Sequence, residues 1–561
     1  MTIAGSTVAD LVLVGGRVLK MDPALAVAEA VAIVGERITA VGGNDEIRAH
    51  SGPDTQVIDL DGRTAIPGLI DGHAHMDREG LKSVFPSLAG ATSIDEVLER
   101  IESLVAERQP GDWVVTMPLG ESPDYWDVPN NLTEKRFPTR WELDQVSPEN
   151  PVYIRPIWGY WRHTRPIVSV ANSLALECAG VGRNTAPVSK QIEFQKDPNS
   201  GDVNGIILEH TSTSIAELCH FSMIPRFTHG QRAAGIRESM RIYSATGTTG
   251  VFEGHGAAAE LIRAYQEVHH AGEMIVRTRL VGSPAWSRFE AEQTAPILAS
   301  WAAWLGGQGQ GDDWLRVEGL HGGFGIEADD RLRAGAAPYT GWAGFNHDSG
   351  VPRERIKDYL IEVARNGIRF TTIGLDLLDI LSQVNDVVPI SDKRWVIAHP
   401  RRIKPAEIDL IAKLGLVVTV HTSHLIYNIT AEEIAAGDEN EIVPIKSLID
   451  AGVHVALSTD NMPTSMFNPL WQSVARPNRY TGNTISPEQR ISREAALKSS
   501  TVEGAYLTYE ENIRGSIEVG KLADIAVLSM GPLSCPEGRL REITADLTIA
   551  GGKIVHQSRR R

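Results

Sequence analysis

Cysteine is scarce in this chain. Its 561 residues include three, Cys178, Cys219 and Cys535, far apart and without a Cys-x-x-Cys spacing. That excludes a disulfide framework and fits a reducing compartment. Basic charge is also short: 54 Lys and Arg stand against 71 Asp and Glu, a formal net charge of −17. Nucleic acid and anionic membranes need a basic surface, so neither is expected as a partner. Every apolar run breaks well short of the roughly 18 residues a membrane span needs. Residues 1–9 lack a basic stretch followed by an apolar one, so no secretory signal is expected. There is no Walker-type loop, no Gly-x-Gly-x-x-Gly opening a helix after a strand, and no Gly-x-Ser-x-Gly elbow. What remains is a soluble cytoplasmic protein with an ordinary 42% hydrophobic content, acting on a small molecule. We expect a homo-oligomer, a dimer.

The most informative segment present is Ala65-Ile66-Pro67-Gly68-Leu69-Ile70-Asp71-Gly72-His73-Ala74-His75. A short apolar run ends in two histidines one residue apart. If residues 68–72 finish a strand, its period-two alternation points both imidazoles to one side, where they can share a metal ion. Paired histidines also occur on solvated strands, so the flanking residues matter.

Length suggests two or three units. Both ends of the chain read as short strands with glycine turns: 11–14, 17–19, 30–34 and 38–41 at the start, 524–528, 547–549 and 553–556 at the finish. We therefore expect one small β-sandwich domain from 1–66 plus 510–561. The middle, 67–509, alternates strand-like runs with amphipathic helical stretches. Strands are expected at 152–157, 276–281, 395–398 and 416–420, and helices at 93–107, 229–245 and 353–364. Repeated βα units imply an α/β fold, a (β/α)8 TIM-like barrel with its site at the C-terminal ends of the strands. The stretches 121–150 and 327–351 read as long loops near the mouth.

Landmarks in order along the chain carry a resemblance. They are Asp10-Leu11-Val12-Leu13-Val14-Gly15-Gly16-Arg17, His163 with Asn172-Ser173-Leu174-Ala175-Leu176, and Gly201 to Glu209. Leu457-Ser458-Thr459-Asp460, Asn468-Pro469-Leu470 and Gly515-Ser516-Ile517-Glu518-Val519-Gly520-Lys521-Leu522-Ala523-Asp524 follow. Together with the His73-x-His75 segment, the chain resembles the amidohydrolase superfamily of metal-dependent hydrolases, and within it the amidohydrolase-3 group of exoenzyme-regulator-like and formamide-deformylase-like proteins.

The resemblance implies roles. His73 and His75 would bind metal. Asp460 would touch the metal and move a proton between the attacking water and the leaving group; capping the next helix is its bland alternative. His399 matches a metal-binding histidine, although Ala398 replaces the glutamate that usually precedes it. Two positions depart from the group. His321 follows Leu315-Arg316-Val317-Glu318-Gly319-Leu320 where the group carries a lysine, often carbamylated to bridge two metals. Thr371 stands where it carries another histidine. Histidine cannot form a carbamate bridge, and threonine is a poor ligand for zinc. A single Zn2+ held by His73, His75 and His399 or His321, with Asp460 beside it, is therefore expected, a substrate contact being the alternative for His321. His421 and His424 end a neighbouring strand and are candidates for metal ligand or substrate contact, and Trp161 and His163 are candidates for substrate contact. Glu253 and His255 also end a strand, but strand-end histidines more often serve as scaffold. The cluster Trp158, Tyr160 and Trp161 either lines an apolar pocket or packs in the core. The resulting expectation is metal-dependent hydrolysis of a non-peptide amide bond in a small molecule. Deamination, ester hydrolysis and lyase or decarboxylase chemistry use the same scaffold, and a non-catalytic binding protein is the reading from another class.

Overall fold

The computed structural model describes residues 8–121, 125, 128–158, 165–325 and 327–558. Tyr160, Trp161 and His163 lie outside them.

Eight parallel strands form the centre. They are β1 (Leu69–Asp71), β2 (Thr248–Ala257), β3 (Arg277–Gly282), β4 (Leu315–His321), β5 (Phe370–Ile373), β6 (Val396–Ala398), β7 (Val417–His421) and β8 (Val455–Ser458), each paired with the next. Some are near-continuous apolar runs, such as Val-Val-Thr-Val in β7, which is buried along the whole strand. This is the signature of a parallel strand covered on both faces. Between β8 and β1 the ring is drawn nearly closed by two backbone bonds. Gly72 N–H donates to the Leu457 carbonyl at 3.0 Å, and Asp460 N–H donates to the His73 carbonyl at 3.1 Å. Glycine is required at 72, because a Cβ there would sit 2.9 Å from the Leu457 oxygen.

The segment between β1 and β2 departs from the expected plan. It folds around its own five-stranded sheet, ordered Ile192–Lys196, Val203–Glu209, Ile167–Ala171, Val152–Ile154 and Val114–Thr116. Only the last two of these strands run parallel. The run at 152–157 is thus a short strand of an inserted sheet, not of the barrel. The second barrel strand comes only at Thr248, after the capped helix His229–Ser244. The stretch at 327–351 contains one short helix, Ala328–Ala334, followed by loop.

Both chain ends contribute to two further sheets. One has four strands from residues 11–59. The other places Thr64–Pro67 antiparallel to Ile525–Leu528, with Ala65 opposite Val527. Leu13 and Ile33 from the first sheet and Val527 and Ile549 from the second share one apolar cluster. Below the barrel, buried ion pairs hold the returning chain to β3: Arg277 with Asp524 at 2.9 Å, and Arg279 with Glu510, which also takes Arg514 at 2.8 Å. Among the described residues no helix is long and apolar enough to cross a membrane.

Candidate active site

The chain leaves β1 through Asp71, whose carboxylate organises the turn. Its Oδ1 accepts the N–H groups of His73 at 3.1 Å and Thr459 at 3.0 Å, and its Oδ2 accepts the Thr459 hydroxyl. Burial pushes the Asp71 carboxyl up to about 7, against those hydrogen bonds. Asn461 grips the next histidine from both sides. Its Oδ1 accepts the His75 N–H at 3.0 Å, and its Nδ2 donates to the His75 carbonyl at 2.7 Å and to Glu79 at 3.1 Å. The Tyr243 hydroxyl donates to the same Oδ1. The two imidazoles thus come from a fixed backbone, with ring centroids 5.1 Å apart.

Across the mouth, left-handed backbone places three residues: His399 at φ 55°, Asp460 at φ 51° and Asn461 at φ 62°. Such conformations are uncommon outside glycine and cost of order 1–3 kcal/mol each, a cost that clusters at functional sites. They turn His399 to within 4.1 Å of the His73 ring and set Asp460 Oδ1 2.8 Å from His75 Nε2. Three sets of side chains bring ligand atoms within 4.8 Å of one another: His73, His399 and Asp460; His73, His75 and His255; and His75, Asp77 and Glu253. Burial would raise the Asp460 carboxyl. The hydrogen bond from His75 and the histidines around it hold it well below the usual range, so it is ionised. Burial, reinforced by neighbouring histidines, pulls His73 well below its ordinary value, and burial takes His399 to about 4. Neutral imidazoles beside a carboxylate form a donor set that suits zinc and other divalent first-row metals. A further observation tests the fit. Both ring nitrogens of His73 and of His399 are buried with no hydrogen-bond partner among the described residues. Such atoms are costly to bury unless something pairs with them, and a cation does so.

The remaining expected residues fall around this cluster. His421, at the end of β7, lies 3.7 Å from Asp460 Oδ2. His424 follows on a π-helical turn, Ser423–Tyr427, with its ring 4.8 Å from that of His421. His321 ends β4 but stands outside all three ligand sets; its Nδ1 meets the Thr371 hydroxyl at 3.1 Å. Trp158 is buried in the core beneath the Arg78 guanidinium at 4.6 Å. His255 belongs to the cluster although the sequence reading kept it in the background. The apolar run Gly250-Val251-Phe252 ahead of Glu253 and His255 was the available signal, although the register of β2 shifts between Glu253 and Ala257. Nothing in the sequence pointed to the Asp71 and Asn461 clamps. A cavity of about 560 Å³ opens onto His255 and His321. Its outer walls come from the inserted segment, at Arg165 and His210 to Thr213, and from the loop that carries Phe345 and His347.

Residues 56–556 match the profile of the amidohydrolase family. The chain belongs to the amidohydrolase family. With this donor cluster at the mouth of its barrel, it is a metal-dependent amidohydrolase. It is 28% identical to the N-substituted formamide deformylase of Arthrobacter pascens, over 98% of each chain. The protein LONG AFTER FAR-RED 3 of Arabidopsis thaliana is 25% identical, over 94% of the amidohydrolase and 88% of the plant protein. Among solved structures, an uncharacterized metal-dependent hydrolase of Pyrococcus horikoshii superposes with a TM-score of 0.65 at 18% identity, covering 94% of this chain and 99% of that one. That last likeness is one of fold.

Proposed function

We propose that this amidohydrolase cleaves a non-peptide carbon–nitrogen bond in a small amide, with one zinc ion held by His73, His75, His399 and Asp460. The observation that carries the reading is the Asp460 carboxylate. It is ionised, 2.8 Å from His75 Nε2, and grouped with His73 and His399 at the C-terminal mouth of the barrel. Zinc in such a site supplies Lewis acidity, polarising a carbonyl and making water acidic enough to attack near neutral pH. Asp460 accepts the proton of the attacking water as the oxygen adds to the carbonyl carbon. It returns that proton to the nitrogen as the carbon–nitrogen bond breaks, giving a carboxylic acid and an amine. One Asp460 oxygen lies 2.8 Å from His75 Nε2, and the other lies 3.7 Å from His421 Nε2. The relative in Arthrobacter pascens, named for N-substituted formamides, supports an amide over an ester or an amidine. The same reading takes the two terminal sheets as one β-sandwich domain, 1–66 plus 510–561, supported by their shared apolar cluster.

Metal analysis and one substitution test this. Protein purified without added metal should carry about one equivalent of zinc, and Asp460→Asn should retain it while turnover of an N-alkylformamide falls about 10²–10⁴-fold. Two equivalents of metal would overturn the single-ion assignment. Near-normal turnover in the variant would overturn the role of Asp460.

A further inference from the structure

Three atoms beside the metal cluster bear on the protonation of a histidine. The Thr371 hydroxyl donates its one proton to the Gly254 carbonyl at 2.9 Å, and a carbonyl can only accept. With that proton committed, Thr371 Oγ1 can only accept from His321 Nδ1, 3.1 Å away. This arrangement favours the Nδ1–H tautomer of His321, with the lone pair on Nε2. Burial lowers the imidazole to about 4, so the ring is neutral at working pH. The ring is also clamped in place. Gly256 has φ 93°, and a Cβ there would stand 2.9 Å from the His321 Cβ. The imidazole lines the 560 Å³ cavity next to His255, whose own ring stacks on Phe345 at 4.4 Å and 5°. His321 lies outside the three ligand sets.

Resting on the amide-hydrolase reading of this site, we propose that His321 is a substrate contact whose Nε2 accepts the N–H of a secondary amide. Thr371 is the positioning residue that fixes the tautomer. The class of substrate follows from the chemistry. A fixed acceptor favours R–CO–NH–R′ over its N-methylated counterpart, which has no proton to give and would leave Nε2 without that partner.

The test compares kcat/KM for N-butylformamide and N-butyl-N-methylformamide in the zinc-loaded wild type, Thr371→Val and Thr371→Ser. Zinc content and the 15N spectrum of histidine-labelled protein are measured on the same samples, with the His321 signal assigned by its loss in His321→Gln. The wild type should prefer the secondary amide by roughly tenfold or more. Thr371→Val should bring that ratio toward one with zinc retained, and Thr371→Ser, which keeps the hydroxyl, should restore it. The wild-type spectrum should show His321 Nε2 unprotonated. An unchanged ratio in Thr371→Val, loss of zinc from that variant, or a protonated Nε2 in the wild type would each overturn the proposal. If the wild type turns over neither amide, it is the hydrolase reading that falls. The spectrum then still decides the tautomer on its own.

Discussion

Replacing Asn461 by Asp changes one atom and should destabilise the metal-free protein in a pH-dependent way. The side chain keeps the oxygen that accepts the His75 N–H at 3.0 Å, and aspartate tolerates the left-handed backbone at φ 62°. What is lost is the amide nitrogen that donates to the His75 carbonyl at 2.7 Å and to Glu79 at 3.1 Å. A second carboxylate at that distance from Glu79 would repel it by about 5 kcal/mol at an effective dielectric of about 20. The pair escapes by sharing a proton. Holding a carboxyl protonated from pH 4 up to pH 7 costs about 4 kcal/mol, at about 1.4 kcal/mol per pH unit. Lys82, bonded to both Glu79 oxygens at 3.0 and 2.8 Å, offsets part of this and leaves about 3 kcal/mol. A chain of this length unfolding as one unit gains about 1.2 kcal/mol per kelvin of entropy, so Tm should fall by about 2–3 °C. The sign with pH follows from the raised folded-state pKa. The penalty is full above that value and fades as pH falls toward the unfolded value near 4. Differential scanning calorimetry in EDTA at pH 8 and pH 5 reads both arms. A gap equal at the two pH values, or none at pH 8, would refute the reasoning.

Other expectations concern the metal and the base of the barrel. His399→Ala should abolish zinc retention through gel filtration, whereas His321→Ala should keep about one equivalent, as elemental analysis would show. Glu510→Gln leaves the buried guanidinium groups of Arg279 and Arg514 without their counter-charge. Breaking such a pair costs about 3–5 kcal/mol. Burial alone would raise the Glu510 carboxyl, but Arg514 and Arg279 hold it at about 2, while burial pulls Arg514 below its ordinary value. The carboxylate gains and one arginine loses, so the lower end of that range is expected, again about 2–3 °C in Tm. Because the folded value is depressed, this gap should be constant from pH 8 down to about 5 and close only as pH falls below 4.5 toward 2, fading in the same direction as the Asn461→Asp gap but in a lower pH window.

Much of the frame could be read from the residues because it rests on local pattern. The strands expected at 276–281, 395–398 and 416–420 appear as Arg277–Gly282, Val396–Ala398 and Val417–His421. The helix expected at 93–107 is Ile94–Val105, begun by the Ser93 side chain accepting from Glu96 N–H. The inserted sheet was not legible, because Val152–Ile154 is short and apolar in the same way as a barrel strand. Its partners are set by long-range pairing that periodicity does not encode. In the site, His73, His75, His399 and Asp460 could be found because each ends an apolar run. His255 was harder, since β2 changes register between Glu253 and Ala257 and so re-aims the side chains that alternation would place. The left-handed turns at His399, Asp460 and Asn461 have no glycine to announce them, and the Asp71 and Asn461 clamps join residues nearly 390 positions apart.

The inserted sheet between β1 and β2 has a consequence for how this molecule could change. The donor atoms of the metal cluster hang from the barrel, whereas Arg165 and His210 to Thr213 hang from the insertion. Part of the cavity wall and the donor atoms are thus written on different stretches of chain. Drift or deliberate exchange within the insertion would redraw which molecules are admitted while the hydrolytic machinery stayed intact. A chimaera carrying a relative's insertion on this barrel should inherit the donor's substrate range and keep its own metal.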